Sequence, residues 1–165
     1  MLHPSVEQAI NEQINQEFQA AYLYLSMSAH FETKGLHGFA HRMRFQSQEE
    51  VTHGMKLFDY LHDRNGHAVL QSIEAPPSKF GAPIEIAENA LRHEQKVTQL
   101  INTLYETAAR EHDYVTAAQL QWFLIEQVEE EKTATDIVQR LTLAGDDVNV
   151  LLQLDRELGQ RSKGE

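Results

Sequence analysis

The sequence predicts an all-α fold, namely a four-helix bundle with a long crossover between its second and third helices and a short fifth helix. Three observations support this prediction. Proline and glycine fall in a few short segments, and four long stretches run between them without interruption. Apolar residues recur every three or four positions within each stretch, as in an amphipathic helix. Short connections within each half and one long connection between the halves are typical of two helical hairpins in one bundle.

The first two helices are bounded by residues that favour helix ends. Pro4 suits the first turn of a helix, where its missing N–H group is not needed. Gly35 and the pair Asn65-Gly66 suit the left-handed conformation that commonly follows a helix C-terminus. The predicted helices therefore span about residues 4–33 and 36–65.

Residues 66–82 contain Pro76-Pro77 and form the long connection, which we expect to run the length of the bundle. Pro83 opens the third helix for the same reason as Pro4. Asp113 is a suitable N-terminal cap for the fourth helix, and Gly145 ends it. The remaining predicted helices span about residues 83–111, 114–144 and 147–158.

The chain has 165 residues and a formal charge of −11. This length is enough for one domain with a hydrophobic core, so we interpret residues 1–165 as a single domain. The acidic charge argues against nucleic acid or an anionic membrane surface as a partner and permits a cationic one. The absence of cysteine excludes disulfides and thiolate metal sites. Because we find neither a secretion signal nor a membrane-length apolar stretch, we expect a cytoplasmic protein.

Every long helix carries polar residues in the middle of its inward-facing stripe, whereas the two ends of the stripe are apolar. Polar residues at core positions break the usual pattern and are expected at functional sites. The central positions are Glu17 in the first helix, Gln46, Glu50 and His53 in the second, Glu94 in the third, and Gln127 and Glu130 in the fourth.

The spacing of these residues repeats between the two halves of the chain. Glu17 and Glu50 are 33 positions apart, and so are Glu94 and Gln127. The polar positions also lie at similar distances from the turn of their own hairpin. They will therefore converge if the two hairpins pack side by side with matched ends.

Buried carboxylates without a Lys or Arg partner on the stripes must be neutralised by protons or by metal ions. Oxygen ligands with a single histidine suit iron, manganese or a similar metal. Two metals could share Glu50, with Glu17 and His53 completing one site and Glu94 and Glu130 the other. The alternative is a non-catalytic helical scaffold whose acidic residues lie on solvated faces.

At this point the chain resembles the ferritins, specifically the non-haem bacterial type. The resemblance covers nearly the whole length, including the short last helix. The motifs that carry it are Glu17-x6-Tyr24, Glu49-Glu50-x-x-His53, Glu94, and Trp122-x3-Glu126-Gln127-x-Glu129-Glu130.

The resemblance implies a hollow shell of twenty-four subunits, in which each bundle binds two Fe(II) ions, oxidises them with dioxygen or peroxide, and passes Fe(III) to a stored mineral. It implies that Glu17, Glu50 and His53 bind the first iron. Glu94 and Glu130, with Glu50 as the bridge, would bind the second. The further residues that it implies are a third iron site at Glu49, Glu126, Glu129 and Glu130, and two residues that orient ligands or bound oxygen, Tyr24 and Gln127.

Two departures from bacterioferritins bear on the cofactor. Val51 follows Glu50, where those proteins have a haem-ligating methionine, and the second motif is Gln127-x-x-Glu130 instead of Glu-x-x-His. Haem is therefore not expected. A different di-iron oxidase or a peroxidase of the same fold remains an alternative to storage.

Three further expectations concern the surroundings of these motifs. His93 is predicted to be a surface residue, because it points about 100° away from Glu94 on the same helix. Trp122 is predicted to be a core residue, with redox chemistry as the less favoured alternative for it and for Tyr24. Leucines of the last helix are predicted to be exposed in a single bundle and to form a subunit contact, namely Leu151, Leu152 and Leu158.

Overall fold

The computed structural model describes residues 2–160, which form five helices and no strand. The helices are α1 (Pro4–Thr33), α2 (His37–Asp63), α3 (Pro83–Arg110), α4 (Tyr114–Ala144) and α5 (Val148–Gln160). Their ends lie within two residues of the predicted positions. The predicted fold class, a four-helix bundle with a short fifth helix, is confirmed. None of these helices combines the length and the apolar character that crossing a membrane requires.

The helix ends have the side-chain caps and backbone conformations that their sequences predict. The Asp113 side chain accepts a hydrogen bond from the Thr116 N–H at 3.1 Å and so caps α4. Arg64, at the end of α2, donates to both Asp113 carboxylate oxygens at 3.1 and 3.2 Å. Asn65 and Gly145 have positive φ angles of 59° and 53°, as expected after a helix C-terminus. The Arg64–Asp113 pair therefore joins the two hairpins at one end of the bundle.

Hydrophobic side chains form two core clusters, one toward each end of the bundle. The first cluster includes Phe31 and Phe39, whose rings stack with their centroids 5.1 Å apart. The second is built mainly from aliphatic residues such as Ile14 and Leu57. On the predicted inward stripes, all residues are buried except Leu91 and Ala134, which are half-buried. The polar middles of the stripes therefore lie between two apolar layers.

The crossover runs beside α1 and is held by amide side chains spaced four residues apart. Asn11 donates to the His67 carbonyl at 3.0 Å and accepts from the Val69 N–H at 2.7 Å. Asn15 likewise donates to the Val69 carbonyl and accepts from the Gln71 N–H. Gln19 donates to the Glu74 carbonyl and accepts from the Glu74 N–H. We call these three side chains the amide ladder. It satisfies backbone groups of an extended segment that has no strand partner.

Helix α5 folds back onto the start of α2. The Asp155 side chain accepts a hydrogen bond from the Phe39 N–H at 2.9 Å, near the N-terminus of α2. Leu154 and Leu158 are each only 2% exposed and belong to the first core cluster. The expectation that Leu158 is exposed in a single bundle is therefore wrong, because α5 covers the end of the bundle with one face. Of the other two leucines, Leu151 is half-buried and Leu152 is 39% exposed.

Gly38 permits the close approach of α2 and α5. A Cβ atom at this position would lie 1.6 Å from the Asp155 carbonyl oxygen, which no real contact tolerates. We expect Gly38→Ala to detach α5 and to accelerate hydrogen exchange of the amides of residues 148–160 by about tenfold or more. Exchange in α3 should not change. His37→Ala, at the exposed neighbouring position, is the control, and equal exchange in both variants would contradict the prediction.

Candidate metal centre

The polar residues predicted from the four stripes lie together at mid-height in the bundle. Each long helix contributes at least one of them, and none is more than 8% exposed. The residues are Glu17, Glu50, His53, Glu94, Gln127 and Glu130. The bundle therefore buries four carboxylates in one place, which is costly unless protons or cations neutralise them.

Glu17, Glu50 and His53 form a group that could hold a metal ion. One ligand atom from each lies within 4.8 Å of the others, and no second group of this kind occurs within residues 2–160. The His53 Nδ1 atom is 3.5 Å from Glu50 Oε2. Gln13 donates to Glu17 Oε1 at 2.7 Å, which leaves Glu17 Oε2 buried without a hydrogen-bond partner. A buried carboxylate oxygen without a partner is suited to a cation.

Glu94 is held from two sides. The Tyr24 hydroxyl donates to Glu94 Oε1. The Gln127 amide lies 3.4 Å from Glu94 Oε2 and donates to the Glu94 carbonyl oxygen at 3.2 Å. Tyr24 and Gln127 therefore both restrict the orientation of the Glu94 carboxylate.

Gln46 links the two halves of the cluster. Its side-chain amide donates to Glu50 Oε1 at 2.9 Å and to Glu130 Oε2 at 3.0 Å. One amide nitrogen on α2 thus bridges a carboxylate of its own helix and one of α4. This contact keeps Glu130 close to Glu50 without any ion present.

The cluster holds protons because burial disfavours the charged form of its acids. Burial and the neighbouring Glu50 charge raise the pKa of Glu17 well above its usual value, and raise that of Glu94 to about 8. Burial and the nearby Glu49 and Glu50 raise the pKa of Glu130 to about 7. The pKa of Glu50 is lowered despite its burial, because His53 interacts with it. A metal ion that enters will therefore displace protons.

The outer acidic residues lie at the edge of this cluster. Glu49 is 3.8 Å from Arg42, and both side chains are mostly shielded from solvent. Glu126 is half-buried. Glu129 is exposed and lies 3.6 Å from Lys132.

Three residues that contact these acids have no ligand role predicted from the sequence. Gln46 lies on a predicted inward stripe, whereas Gln13 and Arg42 lie off the stripes. Gln13 and Gln46 each lie four residues before a buried glutamate, Glu17 and Glu50 respectively, and each donates to it. That spacing places an amide one turn from each acid, and it is the signal that could have identified them. Arg42 lies one further turn before Gln46, beside the inward stripe and not on it.

Two neighbouring aromatic residues differ from their predicted environments. His93 is half-buried, its Nε2 atom has no hydrogen-bond partner, and its ring meets Tyr24 edge-on with the centroids 5.7 Å apart. It is less exposed than predicted, because it lines a cavity between α1, the crossover and α3. Trp122 is 37% exposed, so it is not a core residue. Its ring contacts His53 edge-on, and the Lys56 ammonium lies over its face.

Known proteins are similar to this chain over nearly its whole length. The Ferritin-like domain profile matches residues 7–144. A bacterial non-heme ferritin of Staphylococcus epidermidis is 42% identical over 165 residues, which is all of this chain and 99% of that protein. One of Bacteroides fragilis is 43% identical over 161 residues, which is 98% of this chain and all of that protein.

The solved structures that resemble this chain include an open pore ferritin from the hyperthermophilic archaeon Archaeoglobus fulgidus. It superposes with a TM-score of 0.97 at 45% sequence identity and covers 98% of this chain and all of its own. The predicted resemblance is thus confirmed over the full length, and the chain belongs to the ferritin family.

Proposed function

We propose that this protein oxidises Fe(II) at a two-metal centre inside each bundle and stores the Fe(III) product. The observation that carries the proposal is the buried cluster of four glutamates and one histidine. The cluster includes a preformed group of ligands, Glu17, Glu50 and His53, and a buried carboxylate oxygen without a partner. Family membership supports the same function.

In this proposal Glu50 is the shared ligand of the two irons. Glu17 and His53 complete the first iron site on one side of Glu50. Glu94 and Glu130 complete the second site on the other side, where the bond from Gln46 already holds Glu130 near Glu50. Carboxylate and imidazole ligands suit iron, and the protein has no thiolate to favour a softer metal.

The surrounding residues orient the ligands and prepare the site for oxidation. Tyr24 and Gln127 fix the Glu94 carboxylate from opposite sides. Two Fe(II) ions supply one electron each, so a pair of them reduces one dioxygen molecule to peroxide, with two protons taken up. Protons displaced from Glu94 and Glu130 by the arriving metal are available for that step.

We also propose that the chain assembles into a shell of twenty-four copies in the cytoplasm, without haem. Apolar side chains that are exposed along α1 and the crossover support this assembly, because they could form subunit contacts. These side chains are Tyr22, Leu25, Val69, Leu70 and Ile73. Val51 is the residue after Glu50 and is no haem ligand. Glu49, Glu126, Glu129 and Glu130 are the proposed ligands of a third iron.

The proposal is tested by adding Fe(II) to the metal-free protein in air and in a sealed anaerobic cell. We expect ferric absorbance to appear rapidly only in air. The iron should co-elute with a particle of about 450 kDa, the mass of twenty-four chains of 18.9 kDa. A monomer or dimer that oxidises iron would contradict storage and favour a different di-iron oxidase. A chain that binds no divalent metal would contradict both readings and favour a scaffold.

A further inference from the structure

Arg42 is a cationic side chain next to the acidic cluster. It lies on α2, two turns before Glu50, and its guanidinium is 3.8 Å from the Glu49 carboxylate. Only 15% of the Arg42 side chain is exposed, and its guanidinium carbon lies 5.9 Å from the centre of the Phe45 ring. The guanidinium is therefore packed against neighbouring side chains and is largely shielded from solvent.

The same side chain borders the second iron site. Arg42, Glu94 and Glu130 all line one small cavity of about 30 Å³. Arg42 thus pairs with an outer acid, Glu49, and lines the same cavity as an inner acid, Glu130.

The four proposed ligands of a third iron are not gathered around a common point. Glu49 is paired with Arg42 and Glu129 with Lys132. In the part of the chain that the structure describes, only Glu17, Glu50 and His53 bring their ligand atoms together. A positive group, the Arg42 guanidinium, therefore lies beside Glu49.

We propose that Arg42 is a built-in counter-ion for Glu49 and Glu130, and that it sets how strongly a third metal ion binds beside the two-metal centre. The inference rests on the proposed function, because it concerns the outer side of the same centre. A guanidinium stays charged at every physiological pH, so it competes with a cation for the same carboxylates. A metal ion can bind both acids only when the Arg42 side chain moves away.

The inference predicts that removing the charge of Arg42 tightens third-metal binding. The test is a titration of the assembled, metal-free protein with Zn(II), which binds such ligands without redox chemistry. For the unmodified chain we expect two tight sites and one weak site per subunit. Arg42→Met keeps most of the side-chain length without the charge, and we expect it to tighten the third site at least about tenfold. Anomalous diffraction should then show zinc between Glu49 and Glu130.

Two variants serve as controls. Arg42→Lys keeps the positive charge and should retain a weak third site. Arg44→Met removes an exposed arginine that pairs with Glu32, away from the cluster, and should behave like the unmodified chain.

The outcomes separate this inference from the proposed function. Two tight sites with an unchanged weak third site in Arg42→Met would overturn the role of Arg42 alone. Three equally tight sites in the unmodified chain, or zinc between Glu49 and Glu130 in its crystals, would overturn that role whether or not the variant folds. No tight site in the unmodified chain would overturn the two-metal centre as well.

Discussion

Replacing Glu50 with alanine is expected to slow rapid Fe(II) oxidation by at least about 100-fold. Loss of a residue that merely supports a ligand typically costs 10- to 100-fold, and Glu50 is the proposed ligand of both irons. Zn(II) titration should show that Glu50→Ala loses both tight sites. Glu17→Ala and Glu94→Ala should each keep one, because each removes a ligand of a single metal.

Asp59→Ala is the matched control, since Asp59 is an exposed acid on the same helix. It should oxidise iron at the unmodified rate. All variants should still assemble, because the two apolar clusters that hold the bundle remain intact. If Glu50→Ala keeps one tight zinc site, Glu50 is not a bridge.

The second large effect concerns the stability of the metal-free protein and its dependence on pH. Glu94 has a folded-state pKa of about 8, whereas the ordinary value is 4.5. Between these two values the unfolded chain releases the Glu94 proton and the folded chain keeps it. Folding stability therefore falls as pH rises from about 4.5 to about 8, and it levels off above that. Each unit of pKa shift is worth about 1.4 kcal/mol, so the loss amounts to several kcal/mol.

Glu94→Gln should remove this loss because the amide stays neutral. We expect the variant and the unmodified chain to have similar melting temperatures at pH 4.5 with a chelator present, and the variant to melt progressively higher up to pH 8. Glu88→Gln, an exposed change on α3, should follow the unmodified chain throughout. A difference in melting temperature that does not vary with pH would show that Glu94 ionises normally. Added Zn(II) should stabilise the unmodified chain more than Glu94→Gln, since metal binding requires the carboxylate.

The helices and their buried faces were predictable from the sequence because both depend on local features. Proline at helix starts, glycine after helix ends and a repeat of three to four residues act within a few positions of the chain. The central glutamates were predictable for a related reason, since an acid such as Glu17 or Glu94 interrupts an otherwise apolar stripe. Their convergence follows from the symmetry of the two hairpins.

The features that could not be predicted depend on contacts between distant segments. Leu158 is buried because α5 folds back over the bundle, and His93 is partly buried because it lines a cavity between α1, the crossover and α3. Trp122 lies beside His53 yet remains partly exposed. Helical periodicity alone does not distinguish such a position at the edge of the core from one inside it. Arg42 lies off the inward stripe, so its contact with Glu49 depends on the conformation of a long, flexible side chain.

The first two rungs of the amide ladder are in register because two different backbone geometries have nearly the same repeat. Four residues of helix rise about 6 Å, and two residues of extended chain cover about 6.6 Å. Moving from Asn11 to Asn15 therefore advances the crossover contact by two residues, from the Val69 N–H to the Gln71 N–H. Between these two rungs, insertion of a single crossover residue would put a side chain where a rung needs a backbone group, whereas two residues would restore the alternation. Gln19, whose side chain is one methylene longer, meets the crossover three residues further on, at Glu74. Helix α1 thus fixes the register of the crossover between Asn11 and Asn15, and so constrains how many residues that part of the segment can contain.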